Sequence, residues 1–391
     1  MGECNGFSPE DELLLLLARG RLGPEVEDRA RCLLEQELSW SGILRRAWAQ
    51  EVFPLLYRNL RRLGFPAVPP EVQTELEAAY RINALRNTLL VRELSEVLQL
   101  LGEASVPAIP LKGVALAEAL YGDPAIRVCA DIDILVPRRM AKQAFHLLVT
   151  RGYRAEYTEQ FFADLVLPHS TDCGLVRNER GISYLLEPHW GIVWRAPCDG
   201  GTTEDLWAEA CPKAFFGVPA HALSPEWELL FLAAHAAHHR CQGLKWLVDI
   251  HEVCVRGEVD WEKLQGKAKH LGWEDILRLT LHAAHTLFGS PIPAALTLTK
   301  LPRWLQLFPA APAPAPWRDV CFPLRLLKRR ADKLRYLMRI LFIPTLAERQ
   351  LLRLPAPLGF LYYPLRPLRL GGKWGWQLIC ACLQRLSIAR T

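Results

Sequence analysis

Ala130-Asp131-Ile132-Asp133-Ile134-Leu135-Val136 places two aspartates two residues apart in a β-branched run. In a strand, positions i and i+2 share a face. Asp131 and Asp133 therefore point one way, while Ile132 and Ile134 point into a core. Two carboxylates held that close repel each other unless a cation sits between them. Hard oxygen ligands of this type suit Mg²⁺, which takes one or two protein carboxylates together with substrate phosphates. The bland alternative is a solvated strand end where two aspartates happen to alternate, and it accounts for most isolated Asp-x-Asp matches. Here the pair has company. Eighteen residues before Asp131 stands Gly113, preceded by Leu111-Lys112. A glycine at a strand-to-helix junction lets the backbone approach a phosphate, and the helix N-terminus that follows favours anions. Lys112 adds a point charge beside that turn. Arg127 lies between the two motifs, where it could reach a phosphate or pair with Asp123. Downstream, Leu185-Leu186-Glu187-Pro188-His189-Trp190 offers a third carboxylate. Glu187 and His189 share its face if the strand runs on past Pro188.

The elements that must position these groups are legible in outline. Residues 1–103 read as helices. Ser8-Pro9 is a start signal, and apolar residues recur at helical spacing through Leu33, Leu34 and Leu38, then through Leu85, Leu89, Leu90, Leu94 and Leu98. Pro69-Pro70 breaks the two halves. From Val106 the character changes. An extended entry to Leu111, a helix at 114–121, a strand at 132–136, a helix at 140–151 and a strand at 182–186 make an α/β unit over about 104–200. Residues 201–308 read as helical again, with Ser224-Pro225-Glu226 repeating the start signal and Gly243 separating two helices. Residues 309–316 are a proline-rich linker. Beyond it, Leu327, Ala331, Leu334, Leu337, Met338 and Leu341 form an apolar stripe beside Arg325, Arg329, Arg335 and Arg339, a basic amphipathic helix. The fold class expected is α/β (α+β): a small mixed sheet flanked by helical regions.

A second set of polar residues lies on the predicted helices after residue 224. His235, His238 and His239 stand at i, i+3 and i+4. Two histidines so spaced can bind zinc, but no HExxH pattern accompanies them. A hydrogen-bonded core or an acceptor-pocket role ranks ahead of a metal role. Lys245 and Asp249 are i, i+4, which allows an intrahelical pair. The competing reading has Asp249 facing the Asp131–Asp133 strand across a second-substrate cleft. His189, His235, His239, Lys245 and Asp249 are thus the acceptor-side candidates.

The order LKGxxLAxxLY, then Arg127, then DIDILV, then Glu187-x-His189-Trp190 resembles the nucleotidyltransferase superfamily of the DNA polymerase β type. Within it, the sequence is similar to a stand-alone bacterial family whose motif reads Lys-Gly where most members read Gly-Ser. The segment Leu230–Ile250 and the tail segment Tyr362–Leu370 are similar to that family too, so the resemblance runs from about residue 80 onward. Here the gap from the glycine motif to the aspartate pair is longer than in the general superfamily, and Glu187 stands where Asp is commoner. The resemblance implies a small mixed sheet and two Mg²⁺ ions held by Asp131, Asp133 and Glu187, with Lys112, Gly113 and Arg127 toward the nucleotide. It implies transfer of a nucleoside monophosphate from an NTP to an acceptor, with release of pyrophosphate. The acceptor could be a small molecule, a sugar, a peptide, a protein or an RNA end. Two other readings keep the same residues: phosphoryl transfer on the same fold, and a nucleotide-binding regulatory module without turnover.

Composition bounds these readings. The 391 residues are 50% hydrophobic and 23% charged, which excludes wholesale disorder. Residues 301–391 hold 16 basic and 3 acidic side chains, a balance of +13, whereas the first 300 hold 31 and 39, a balance of −8. An acidic body makes duplex DNA an unsuitable partner; residues 318–391 are the candidate surface for an anionic membrane, and the alternative, ranked slightly ahead, is that their apolar stripe packs on the acidic body with the arginines paired to its carboxylates. No apolar run reaches the ~18–20 residues of a spanning helix. Leu13–Leu17 follows Glu10, Asp11 and Glu12 instead of the positive charge of a secretory signal. The 11 cysteines form no CxxC pair and read as reduced thiols, so a cytoplasmic location is expected, with peripheral membrane association through the tail as its variant.

Overall fold

The computed structural model describes residues 7–192, 201–302, 305, 307, 316–354 and 356–372. Ser8 caps α1 (Pro9–Leu17) by accepting from the Asp11 amide, with Pro9 in the first turn, as the start signal requires. Helices α2 (Pro24–Leu34), α3 (Trp40–Ala49) and α4 (Phe53–Leu63) follow. Pro70 then opens α5 (Pro70–Glu103), a helix of 34 residues. Its second half turns Leu90, Leu94 and Leu98 inward, whereas Leu85 is exposed.

The chain next builds a four-stranded sheet from β1 (Ile109–Pro110), β2 (Ile132–Leu135), β3 (Leu175–Glu179) and β4 (Ile182–His189). The spatial order is β1-β2-β4-β3, with β2 and β4 parallel and the outer pairs antiparallel. Between β1 and β2 runs α6 (Gly113–Tyr121), closed by Gly122 in the left-handed region. Between β2 and β3 come α7 (Ala141–Thr150), then α8 (Glu159–Phe161) and α9 (Leu167–His169) around a π-helical turn. The strand β3 was not foreseen. Its signal is Arg180-Gly181, both at positive φ, which is the two-residue turn of a hairpin. The β4 strand does continue past Pro188, because β2 stays paired with it through Ile134 beside Pro188 and Leu135 beside His189. Pro188 cannot donate, but its carbonyl accepts from the Cys173 amide, and two residues on the Trp190 amide donates to the Thr171 carbonyl, so the pairing on that side carries past it.

After α10 (Gly201–Ala208), a hairpin of β5 (Cys211–Phe215) and β6 (Val218–Ala222) interrupts what the sequence suggested was purely helical. Phe216-Gly217, both at positive φ, makes its turn. Four helices follow: α11 (Pro225–His238), α12 (Leu244–Arg256), α13 (Trp261–Leu271) and α14 (Glu274–Phe288). Gly243 divides the first two, as predicted, and a Cβ there would lie 2.3 Å from the Trp246 ring.

Packing cuts across the sequence boundaries. One core joins Leu13–Leu17, Leu33, Leu56 and Leu76 of the N-terminal helices to Leu229, Leu247, Leu281 and Phe288 of the C-terminal ones. The second core lies behind the sheet, where Ile132 and Ile134 meet Leu90, Leu94, Val97 and Leu98 of α5, Phe145 of α7, and Phe215. The opposite face of β2 turns Leu135 into the first core. The aspartates therefore open onto the seam between sheet and helical body. The whole is a mixed α+β structure with a small sheet among helices.

Most of the proline linker lies outside the described residues. Beyond it stand α15 (Pro316–Leu326), α16 (Arg330–Phe342) and α17 (Leu346–Leu351), with a last helical stretch at 362–372. The apolar stripe expected here is corrected. The helix breaks after Leu326, and α16 packs inward through Tyr336 and Ile340, leaving Leu334, Leu337 and Met338 exposed. Basic groups of the tail lean on the body. Lys328 lies 3.5 Å from Glu274 and 3.3 Å from Asp275, and Arg339 donates to the His169 carbonyl. His169 Nε2 lies 2.8 Å from the Tyr363 hydroxyl. Among the described residues, no helix is long and apolar enough to cross a membrane.

Candidate active site

The register of two strands assembles the acidic cluster. Asp133 on β2 stands directly beside Glu187 on β4, and Leu135 beside His189. In a parallel pair such neighbours share a face. The Asp133 side chain is fully buried, and Asp131, one step before the strand, is 23% exposed at the rim. His189 Nε2 lies 3.0 Å from Asp133 Oδ1 and 4.0 Å from Glu187 Oε2, and Nδ1 is 3.9 Å from Asp172. An ionised carboxylate only accepts, so Nε2 carries the proton toward Asp133.

Lys112 completes the cluster from the other side. It precedes α6, and its ammonium lies 3.2 Å from Asp131 Oδ2 and 3.0 Å from Asp133 Oδ2. The Gly113 that follows has φ +68°, and a Cβ there would sit 3.4 Å from the Asp131 carbonyl. The predicted junction glycine is thus required by the backbone.

The charges respond to this crowding. Burial pushes the Asp133 carboxyl up, but the Lys112 charge and the His189 hydrogen bond outweigh it and bring it down to about 2. Glu187 is pushed up to about 7 by burial and by the Asp133 charge. Burial opposes the charged forms of Lys112 and His189, yet the surrounding carboxylates hold both above their usual values.

Asp133, Glu187 and His189 offer ligand atoms that all lie within 4.8 Å of one another. Asp131 is tied to this group through Lys112. Asp133 Oδ2 is buried, and its close partner is the Lys112 ammonium at 3.0 Å. Two carboxylates and an imidazole whose ligand atoms converge in this way fit a divalent cation such as Mg²⁺ or Mn²⁺.

The remaining predicted residues are placed differently. The Arg127 guanidinium is buried and does not pair with Asp123. It grips Asp249 of α12, with Nε 3.1 Å from both carboxylate oxygens and Nη2 2.9 Å from Oδ2. Asp123 instead accepts from the Ala125 amide and the Tyr80 hydroxyl. Asp249 is therefore spent on Arg127 and presents no free carboxylate to a cleft. Lys245 does not pair with Asp249 as the helical spacing allowed; its ammonium lies 2.5 Å from Glu51 and 3.3 Å from the Val128 carbonyl. His239 stacks on Trp246 at 4.0 Å and 14°, and His235 stands edge-on to both rings. Burial holds both imidazoles neutral, His239 down to about 3, and neighbouring positive charges, His238 and Lys112 among them, depress both further.

Sequence reasoning missed Asn83 and Asn87. Asn83 Nδ2 donates to the Ala125 and Arg127 carbonyls, and Asn87 Nδ2 to those of Pro124 and Arg127. They fasten the loop before β2 to α5. Their signal was available: with Leu90 and Leu94 they occupy one helical face, where a polar residue needs a partner.

No curated protein matches the chain. Among solved structures, the chain is similar to the crystal structure of an antigenic nucleotidyltransferase-like protein from Paracoccidioides brasiliensis. The identity is 15%, the match covers 54% of this chain and 97% of that one, and the TM-score is 0.32. A family model described as "Uncharacterised nucleotidyltransferase" matches residues 36–289, beginning within the N-terminal helices and ending before the tail. That span exceeds half the sequence and contains the whole acidic cluster, so the chain belongs to this uncharacterised nucleotidyltransferase family.

Proposed function

We propose that this protein transfers a nucleoside monophosphate from an NTP to an acceptor hydroxyl or phosphate, as a member of the Lys-Gly variant group, with residues 104–200 as its catalytic domain. The observation that carries the reading is the pairing of buried Asp133 with Glu187 across β2 and β4, with Lys112 closing the same cluster. Asp131, Asp133 and Glu187 would hold Mg²⁺, two ions by family resemblance, and His189 orients Asp133 or joins the ligands. When bound, Mg²⁺ neutralises the triphosphate and acidifies an acceptor hydroxyl. Lys112 and the Gly113 backbone would receive the triphosphate, whose charge suits a flexible ammonium and a close-approaching main chain at the start of α6. The acceptor oxygen bonds to the α-phosphorus and loses its proton, and pyrophosphate leaves. The stacked His239–Trp246 pair and His235, all uncharged, are the residues we assign to the acceptor side, and their neutral, stacked arrangement supports that assignment.

The test is incubation with each α- or γ-labelled NTP and Mg²⁺, with and without cell extract. Transfer of the α-label with pyrophosphate release is expected, and Asp133→Asn abolishes it. Movement of the γ-label instead would replace the reading with phosphoryl transfer, and movement of neither would leave a binding module.

For the tail we propose docking of residues 318–391 on an anionic membrane, with a cytoplasmic enzyme behind it. Exposed Leu334, Met338 and Phe342 beside Arg330, Lys333 and Arg335 support this. The full chain is expected to pellet with phosphatidylserine vesicles at low salt and to stay in the supernatant at high salt. No pelleting at low salt removes the membrane from the account.

A further inference from the structure

Resting on that reading of the acidic cluster, we infer that Lys112 is the built-in cation of the site, and that it competes with a divalent ion for Asp133 until a polyphosphate draws its ammonium away. The contested atom is Asp133 Oδ2. It is buried, and the Lys112 ammonium is ion-paired with it at 3.0 Å while hydrogen-bonding Asp131 Oδ2 at 3.2 Å. Lys112 thus straddles the two aspartates that a divalent ion would use. It is itself only 11% exposed, so water screens little of its charge.

A divalent ion cannot be added to this arrangement unchanged. With Lys112 in place, the ion and the ammonium would stand within a few ångströms of each other around one carboxylate, and like charges at that range repel strongly. The ammonium must leave, and it leaves readily only toward another anion. The four-carbon stem gives it reach, and its position just before the nine-residue helix α6 turns it toward the end that favours anions. A triphosphate arriving with its own metal supplies both needs at once. Bare metal supplies only one. The site is therefore weak for a bare divalent ion and strong for a metal–polyphosphate complex, and Lys112 sets that order.

The test measures binding, not turnover. Mn²⁺ alone and preformed Mn²⁺–tripolyphosphate are each titrated into the full-length protein, followed by calorimetry and, for the bare ion, by the free Mn²⁺ spin-resonance signal. The wild type is expected to bind the complex at least about tenfold more tightly than bare Mn²⁺. Lys112→Met is expected to reverse the order, gaining about tenfold for bare Mn²⁺ and losing affinity for the complex. Lys112→Arg keeps a cation in the seat and is expected to retain the wild-type order, and Lys112→Gln repeats the neutral variant should the methionine fail to fold. A neutral variant that folds and binds bare Mn²⁺ no better than the wild type overturns the inference while leaving the metal site intact. Asp133→Asn separates the two questions. If it binds either probe as the wild type does, or if no form binds Mn²⁺ at all, the metal–nucleotide reading fails and takes this inference with it.

Discussion

At the Glu187 carboxyl, burial and the Asp133 charge hold a proton up to about pH 7, so a metal that uses this group must first expel it. Apparent affinity for Mn²⁺ with nucleotide present is expected to rise by roughly tenfold per pH unit below 7 and to flatten above it. Calorimetry in buffers of differing ionisation heat would count the released proton. An affinity independent of pH would remove Glu187 from the ligand set. The two carboxyls act oppositely on the metal-free fold. Glu187 binds its proton more tightly folded than unfolded, so its contribution falls as pH rises from about 4.5 toward 7. Asp133 is depressed, so its contribution is present above about 3.8 and is lost as pH falls toward 2. Much at this scale was legible. Alternation alone set Asp131 and Asp133 on one face, and Glu187 with His189 followed once the strand was allowed past Pro188. Arg127 was not legible, because its partner Asp249 lies 122 residues away and no local spacing points to it.

The loop that leads into β2 is held from two helices. It is gripped by Asn83 and Asn87 from α5 and, through Arg127, by Asp249 from α12. Arg127 and Asp249 are both buried, so removing one partner strands the other's charge. Arg127→Ala is expected to cost about 3–5 kcal/mol, whereas the double change Arg127→Met, Asp249→Leu recovers most of that loss. Chemical denaturation of the three forms checks this, and equal losses in the single and double variants would show that the pair is not what holds the loop. Capped helices were read correctly because Ser8-Pro9 and Ser224-Pro225 carry their own start signals. The hairpins were missed because Arg180-Gly181 and Phe216-Gly217 are two-residue turns without the usual Asn or Asp. The tail stripe misled because periodicity gives an apolar face but not which neighbour covers it, and Tyr336 with Ile340 found the neighbour.

Across the whole molecule, the core behind the sheet depends on Leu90, Leu94, Val97 and Leu98 from α5 and on Phe215 from the β5–β6 hairpin. A fragment of residues 104–200 lacks all of these and is expected to aggregate, whereas 80–222 should melt cooperatively. Cooperative melting of 104–200 alone would show that the sheet needs neither neighbour. The larger core, in which α1 meets α14, has a consequence in time. A ribosome adding roughly 5–20 residues per second makes α1 about 15–55 seconds before α14 exists. For that interval the five leucines at 13–17 lack part of their final cover, so this protein is most vulnerable to misassembly while it is still being made.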